Sequence, residues 1–232
     1  MLADKKIRIL KKIAVIVAGG TGSRMGKDIP KQFLLLNQKP ILWYSIQAFL
    51  HAFEDMEIIV VAHRDHLERT QQIIDLFEER NKILLVTGGD TRFASVKNGL
   101  EQIHAQAVVF VHDAVRCLVS QKLIRSCFEQ AVEKGSAVPA VVSTDSIRVE
   151  EGAENKLVDR ESVRIVQTPQ TFRSEILLPA FAQPYSAFFT DEANVVEHSG
   201  QQVHLIEGDY ANIKITRPVD MAIAEFYLSQ GR

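Results

Sequence analysis

The stretch IAVIVAGGTGSRMGKDIPKQF, residues 13–33, joins an apolar, β-branched run to a glycine-rich loop. The run at 13–18 predicts a strand buried on both faces of a parallel sheet. In open α/β sheets, ligands bind beyond the carboxyl ends of the strands, where glycines let backbone N–H groups approach phosphate oxygens. The stretch therefore predicts an α/β fold with an anion site after its first strand.

The rest of the chain repeats this alternation of apolar runs and helical patterns. Further strands are predicted at 57–62, 82–86, 107–112, 136–142, 202–208 and 212–216. Helices are predicted after Pro40, after Asp65 and Ser120 as caps, over 173–182, after Thr190 as a cap, and from Pro218. Gly135 and Gly200 are expected to end two of them. The pattern predicts a doubly wound, mostly parallel, twisted sheet with helices on both faces.

Residues 143–167 interrupt the alternation with two short polar strands around a turn at 150–155. A hairpin with so little apolar surface is marginal in water, so it is expected to lean on another subunit. With neither a repeat nor a linker in the sequence, we expect residues 1–232 to form a single domain carrying this protruding β-arm.

Composition narrows the classes of partner. The 232 residues include 27 Lys and Arg against 29 Asp and Glu, a formal charge of −2. Such a balance provides no overall positive field for nucleic acid or an anionic membrane. The sequence contains no apolar run long enough for a membrane span, and Cys117 and Cys127 are expected to be buried free thiols. We expect a cytoplasmic protein.

The glycine-rich loop also carries two cations. Gly19, Gly20 and Gly22 offer backbone N–H groups, while Arg24 and Lys31 bring positive charge to the same loop. The spacing matches neither the G-x-x-x-x-G-K-[ST] loop nor a dinucleotide fingerprint. A phosphate group is therefore expected to meet both backbone and side chains here.

Three further segments are predicted to reach the same sheet edge. Asp113 and Arg116 follow a strand and suit a substrate hydroxyl or phosphate, or else form a strand-end salt bridge. The segment GGDTRFASV, 88–96, suits a flat base, with Asp90, Arg92 and Ser95 as polar edges, or else is a turn with a helix cap. Lys214 either joins the site or points to solvent. None of the histidines is assigned to catalysis, and no residue is assigned as a metal ligand.

Six motifs, in this order, resemble the 2-C-methyl-D-erythritol 4-phosphate cytidylyltransferase family of non-mevalonate isoprenoid biosynthesis. They are AGGTGSRMG with PKQF, GGDTR with SV, HDAVR, VDR with QTPQTF, TDEAN and NIKITRP. The resemblance implies a Rossmann-like nucleotidyltransferase fold and a homodimer joined by the arm. It also implies CTP and a divalent cation, usually Mg²⁺, held mainly by the CTP phosphates. The implied reaction converts CTP and the polyol phosphate to CDP-methylerythritol and pyrophosphate.

The resemblance also implies roles for individual residues. Arg24 and Lys31 match the family's transition-state stabilisers, while Arg160 and Lys214 match the residues that position the sugar phosphate. The CTP pocket corresponds to Ala18, Gly19, Gly20, Gly22, Gly88, Asp90 and Ser95. Substrate contacts correspond to Asp113, Arg116, Ser146 and Thr168, with Ser146 and Arg160 expected from the partner's arm.

The chain departs from the family pattern at three positions. Cys117 stands where a Pro is usual, Ser146 where a Thr is usual, and Arg164 where a Trp is common. A ribitol-5-phosphate cytidylyltransferase remains the nearest alternative enzyme. A non-catalytic nucleotide-binding regulatory module is the alternative of another class, and a nicotinamide oxidoreductase is more distant.

Overall fold

The computed structural model describes residues 10–20 and 29–231. Its strands are β1 (Lys11–Ala18), β2 (Leu35–Leu36), β3 (Lys39–Pro40), β4 (Met56–Ala62), β5 (Ile83–Thr87), β6 (Ala107–Asp113), β7 (Ser136–Val142), β8 (Ile147–Glu151), β9 (Glu154–Val158), β10 (Arg164–Val166), β11 (Gln170–Arg173) and β12 (Leu205–Glu207). Its helices are α1 (Ile41–Ala52), α2 (Leu67–Ile74), α3 (Arg92–Leu100), α4 (Gln121–Lys134), α5 (Ser174–Ala180), α6 (Glu192–His198) and α7 (Pro218–Ser229). The predicted α/β class is confirmed.

The central sheet has the strand order β10-β7-β11-β6-β1-β4-β5, with β12 beside β7. Strands β6, β1, β4 and β5 are parallel, and Ala18 at the end of β1 is level with Ala62 at the end of β4. Strand β11 lies between β6 and β7 and is antiparallel to both. The carboxyl ends of the four parallel strands therefore share one edge.

Two apolar layers cover the two faces of this sheet. Alternate residues of β1 point to opposite faces, so Ala14 and Ile16 pack in one layer while Ile13 and Val15 pack in the other. Helices α1 and α4 cover the first face, and α3, α5 and α6 cover the second. Burial on both sides explains why β1, β4 and β6 are almost continuously apolar.

Several predicted helix ends are confirmed. The Ser120 hydroxyl accepts a hydrogen bond from Leu123 N at 3.2 Å, and Gly135 ends the same helix with φ +88°. That left-handed conformation favours glycine. Pro218 begins the last helix, as expected.

Two predicted caps are wrong. Asp65 lies in a 3-10 turn, Arg64–His66, and α2 begins only at Leu67. That helix stops at Ile74 because the chain turns to bury Phe77 in the core. The cap of α6 is Asp191 rather than Thr190, since its Oδ1 accepts a hydrogen bond from Asn194 N at 2.9 Å.

The structure corrects the strand predicted at 212–216, confirms the hairpin predicted within 143–167, and adds one strand to that segment. Residues 212–216 form no strand. They run beside the segment that follows β6, where Ile215 N donates a hydrogen bond to Val115 O at 3.0 Å. Within 143–167, β8 and β9 form a separate two-stranded hairpin, whereas β10 joins the central sheet beside β7. The hairpin turn includes Gly152 with φ +66°.

No helix in residues 10–20 and 29–231 is both long enough and apolar enough to cross a membrane.

Candidate active site

A cavity of about 470 Å³ opens at the carboxyl edge of the parallel strands. Eight of the residues singled out in the sequence line it together: Ala18, Gly19, Gly20, Lys31, Asp90, Ser95, Asp113 and Lys214. They come from segments up to about 200 positions apart, and the shared strand edge brings them into one place.

Backbone groups after β1 form one wall of the cavity. The side-chain amide of Gln32 donates hydrogen bonds to Ala18 O at 2.7 Å and to Gly20 O at 3.0 Å. Gln32 is buried in a short 3-10 turn, Lys31–Phe33, which also brings Lys31 to the cavity. One side-chain amide thus joins the backbone at Ala18 and Gly20 to the turn that carries Lys31.

The segment before α3 forms the opposite wall. Gly89 N donates to Ser95 Oγ at 3.1 Å, and a Cβ at Gly89 would lie 2.5 Å from the Cβ of Ala94. Glycine is therefore required for this close approach. The helix cap considered for this segment is present, because Thr91 Oγ1 accepts from Ala94 N at 3.0 Å. The cap and the cavity wall coexist, and Asp90 remains exposed beside Arg64.

The end of β6 carries the charged centre of the cavity. Asp113 Oδ2 lies 2.7 Å from Lys214 Nζ, and Asp113 Oδ1 lies 3.3 Å from Arg92 Nη2. The carboxylate of Asp113 therefore forms salt bridges with Arg92 and Lys214, which line the cavity, rather than the strand-end pair with Arg116. Lys214 keeps 39% of its side chain exposed while its ammonium is held by the carboxylate.

Each of these charged groups stabilises the ionised form of its neighbour. Burial alone would raise the pKa of Asp113, but Arg92 and Lys214 outweigh it and hold that pKa well below its ordinary value. Burial alone would lower the pKa of Arg92, yet Glu192 and Asp113 raise it. Asp113 is therefore ionised and Arg92 charged at neutral pH.

Arg116 and Thr168 lie behind the cavity wall rather than on it. The Arg116 guanidinium donates to Asn212 O at 2.8 Å, which ties the segment of Lys214 to the end of β6. Thr168 Oγ1 accepts from Asp113 N at 3.1 Å. Their roles as substrate contacts stay predictions, and both residues support cavity residues in this structure.

The two arm residues predicted to contact the substrate lie on the exposed surface of this chain. Ser146 is exposed just before β8, and Arg160 lies in the 3-10 turn Arg160–Ser162 with 53% of its side chain exposed. Neither lines the cavity of its own chain. Gly22 and Arg24 lie outside the described residues, and Gly88 lies next to the lining residue Gly89.

Three residues with structural roles here received none from the sequence. Gln32 stands inside a quoted motif, His63 lines the cavity, and Glu192 pairs with Arg92, which the sequence offered only as a polar edge for a base. Only the TDEAN motif pointed toward Glu192, and nothing local in the sequence connects it with Arg92.

The fold and the cavity define the class of protein. It is an α/β protein with a ligand site at the sheet edge, lined by glycine backbone and by a paired lysine and aspartate. The sequence profile of the family described as 2-C-methyl-D-erythritol 4-phosphate cytidylyltransferase matches residues 12–230. The chain belongs to this family.

Relatives that carry this name cover nearly the same length. The protein of Porphyromonas gingivalis is 44% identical over 220 residues, covering 94% of this chain and 98% of the relative. That of Bacteroides thetaiotaomicron is 41% identical over 219 residues, covering 94% and 100%. The crystal structure of the Francisella tularensis 2-C-methyl-D-erythritol 4-phosphate cytidylyltransferase superimposes with a TM-score of 0.77 at 31% identity, covering 93% and 99%.

Proposed function

We propose that this protein transfers a cytidylyl group from CTP to 2-C-methyl-D-erythritol 4-phosphate, giving CDP-methylerythritol and pyrophosphate for isoprenoid precursor synthesis. One observation carries the proposal: a family match over residues 12–230 coincides with a cavity that contains the predicted Lys31, Asp113 and Lys214. The match does not favour the ribitol phosphate enzyme or the regulatory module. We place the reaction in the cytoplasm, where CTP is available.

This reaction depends mainly on positioning the two substrates and on neutralising phosphate charge. The attacking phosphate oxygen is already anionic, so the transfer needs an in-line arrangement and stabilisation of charge on the α-phosphate. Lys31 stands beside the backbone N–H groups after β1, where a triphosphate would lie. We assign it, with Arg24, to stabilising the five-coordinate α-phosphate and the leaving pyrophosphate.

A divalent cation fits this cavity if the nucleotide supplies most of its ligands. Within the described part of the chain, no three His, Cys, Asp or Glu side chains are grouped to hold a metal ion. Asp113 already accepts from two cationic side chains. Mg²⁺ commonly uses one or two carboxylates together with substrate phosphates. We therefore propose that the CTP phosphates would hold it and that it would neutralise phosphate charge.

The second substrate is assigned to Lys214 and to Arg160 of the other subunit. The hairpin of β8 and β9 pairs with itself alone among the described strands. It exposes Val149 and Leu157, with 47% and 67% of each residue accessible. A lone hairpin is marginal, so a second copy is the natural support for these side chains. We propose a homodimer in which each arm completes the partner's site.

A direct assay tests the function. Purified protein with CTP and Mg²⁺ should release pyrophosphate with methylerythritol phosphate at a kcat/KM about 100-fold or more above that with ribitol phosphate, because mismatched hydroxyl contacts leave polar groups unpaired. A higher kcat/KM with ribitol phosphate would overturn the substrate assignment. Binding of CTP without turnover on either polyol phosphate would favour the regulatory module.

A further inference from the structure

A second ion pair extends from the cavity lining into the core, because Arg92 lines the cavity and Glu192 is buried behind it. Arg92 Nη1 is 2.5 Å from Glu192 Oε1, and Arg92 Nη2 is 3.1 Å from Glu192 Oε2, so the pair is bidentate. Glu192 is fully buried. A carboxylate at such a depth persists as an ion only when it is well paired, and removal of its partner is strongly destabilising.

The same guanidinium reaches the charged centre of the cavity. Arg92 Nε and Nη2 lie 3.4 Å and 3.3 Å from Asp113 Oδ1, while Asp113 Oδ2 accepts from Lys214 Nζ at 2.7 Å. Glu192, Arg92, Asp113 and Lys214 thus form a continuous row of alternating charge. One end is buried, and the other opens on the cavity.

The charges of this row balance, with two anions and two cations. Without the charge of Glu192, the whole positive charge of Arg92 would act on Asp113 and compete with Lys214 for the same carboxylate. With Glu192 present, Arg92 is largely matched and touches only Oδ1. Asp113 Oδ2 is then left to hold the ammonium of Lys214 in place.

The sheet itself fixes the position of Glu192. Asp191 caps α6 and accepts a hydrogen bond from Gln170 Nε2 at 3.0 Å, and Ala193 N donates to Gln170 Oε1 at 2.7 Å. Gln170 belongs to β11, whose neighbour β6 carries Asp113. The positions of Glu192 and Asp113 are therefore fixed relative to each other by two neighbouring strands of the sheet.

We propose that Glu192 is a positioning residue that fixes Lys214, through Arg92 and Asp113, for the phosphate of the polyol substrate. The inference rests on the proposed function, which assigns that phosphate to Lys214. It deepens that function by adding a residue that touches neither substrate.

The first measurement compares Glu192→Gln with wild type in the pyrophosphate-release assay. This variant keeps the shape of the side chain and removes its charge. We expect kcat/KM for methylerythritol phosphate to fall about 10-fold or more, as coupled contacts of this kind do, and KM for CTP to change less than about 3-fold. Glu197→Gln, an exposed carboxylate on the same helix, is the matched control and should behave as wild type.

The deciding measurement repeats the substitution in a Lys214→Met background. If Glu192 acts through Lys214, Glu192→Gln should then lower kcat/KM less than about twofold further. A fall as large as in the wild-type background, or a rise in KM for CTP equal to the loss on the polyol phosphate, would overturn the proposal and leave a general structural role.

A second variant covers a folding failure of Glu192→Gln. The paired change Arg92→Gln with Glu192→Gln removes both charges of this ion pair together, and the same comparison with and without Lys214 applies to it. Thermal unfolding followed by circular dichroism checks that each variant is folded. Wild-type protein inactive on methylerythritol phosphate would defeat the proposed function, whereas active wild type with unchanged Glu192→Gln would defeat this inference alone.

Discussion

His112 provides a stability test that follows from its surroundings in the core. Its ring is fully buried on β6, packed edge-on against Phe49 with ring centroids 5.1 Å apart. Its Nε2 lies 3.2 Å from Arg116 O, and its Nδ1 lies 3.2 Å from Thr168 Oγ1. A carbonyl can only accept, so these contacts assign the neutral ring with hydrogen on Nε2 and with Nδ1 accepting from the threonine hydroxyl.

Protonation of this ring is costly in the folded state. Burial lowers the pKa of His112 from 6.5 to about 3, and a proton on Nδ1 would face a hydroxyl that already accepts from Asp113 N. The unfolded chain therefore binds the proton first. The stabilising effect is fully present above pH 6.5 and is lost as the pH falls from there toward 3.

The magnitude follows from these two values. At pH 5.0 the unfolded histidine is 1.5 pH units below its pKa of 6.5, and each unit corresponds to 1.36 kcal/mol. The free energy of unfolding should fall by about 2 kcal/mol between pH 7.5 and pH 5.0 through His112 alone. The low pKa of Asp113 acts only at more acidic pH, outside this interval.

Urea unfolding followed by circular dichroism at the two pH values measures this difference. The His112→Asn variant, less stable overall, should lose about 2 kcal/mol less than wild type over the interval. His104→Asn, which removes an exposed histidine, is the matched control and should retain the wild-type loss. An equal loss in His112→Asn and wild type would refute the reasoning from burial.

Four further outcomes are expected. Lys31→Ala should lower kcat by roughly 10²–10³ with a much smaller effect on CTP affinity, because a donor aimed at developing charge acts mainly in the transition state; Arg24→Ala should do the same. Mixing inactive Arg160→Ala with inactive Lys31→Ala protein should restore some activity, since a hybrid dimer contains one site with both residues intact. CTP should be preferred over UTP, ATP and GTP, because buried polar groups matched to one base are left unpaired by another. Gly89→Ala should lower the free energy of unfolding by about 1–3 kcal/mol, because the added Cβ would lie 2.5 Å from that of Ala94.

Each of these outcomes can fail in a distinct way. An unchanged kcat removes the substituted cation from the mechanism. No recovery despite demonstrated exchange of subunits places Arg160 in its own subunit's site. Comparable kcat/KM for UTP contradicts the assignment of the base pocket to the segment before α3. A Gly89→Ala protein as stable as wild type shows that the turn can move away from Ala94.

Local patterns in the sequence were sufficient for the parallel core and for the glycine-rich wall of the cavity. Strand β6 was predicted nearly to its ends, since a strand buried on both faces is apolar wherever it is placed. Ser120 and Gly135 were recognisable as helix ends because capping depends on neighbouring backbone groups. The same strand edge predicted that Lys31 and Asp113 would meet.

Only the tertiary structure decided which distant residues pair. Strand β11 has only four residues, most of them polar. Its place between β6 and β7 depends on pairing with those two strands, which lie elsewhere in the chain. Residues 212–216 have the alternating pattern of a strand but pair with no strand of the described residues. Arg92 and Glu192 are 100 positions apart, and their bidentate contact exists because α3 and α6 pack on one face of the sheet. Hydrophobic periodicity and capping are local, whereas charge pairing depends on distance in space, which the fold alone supplies.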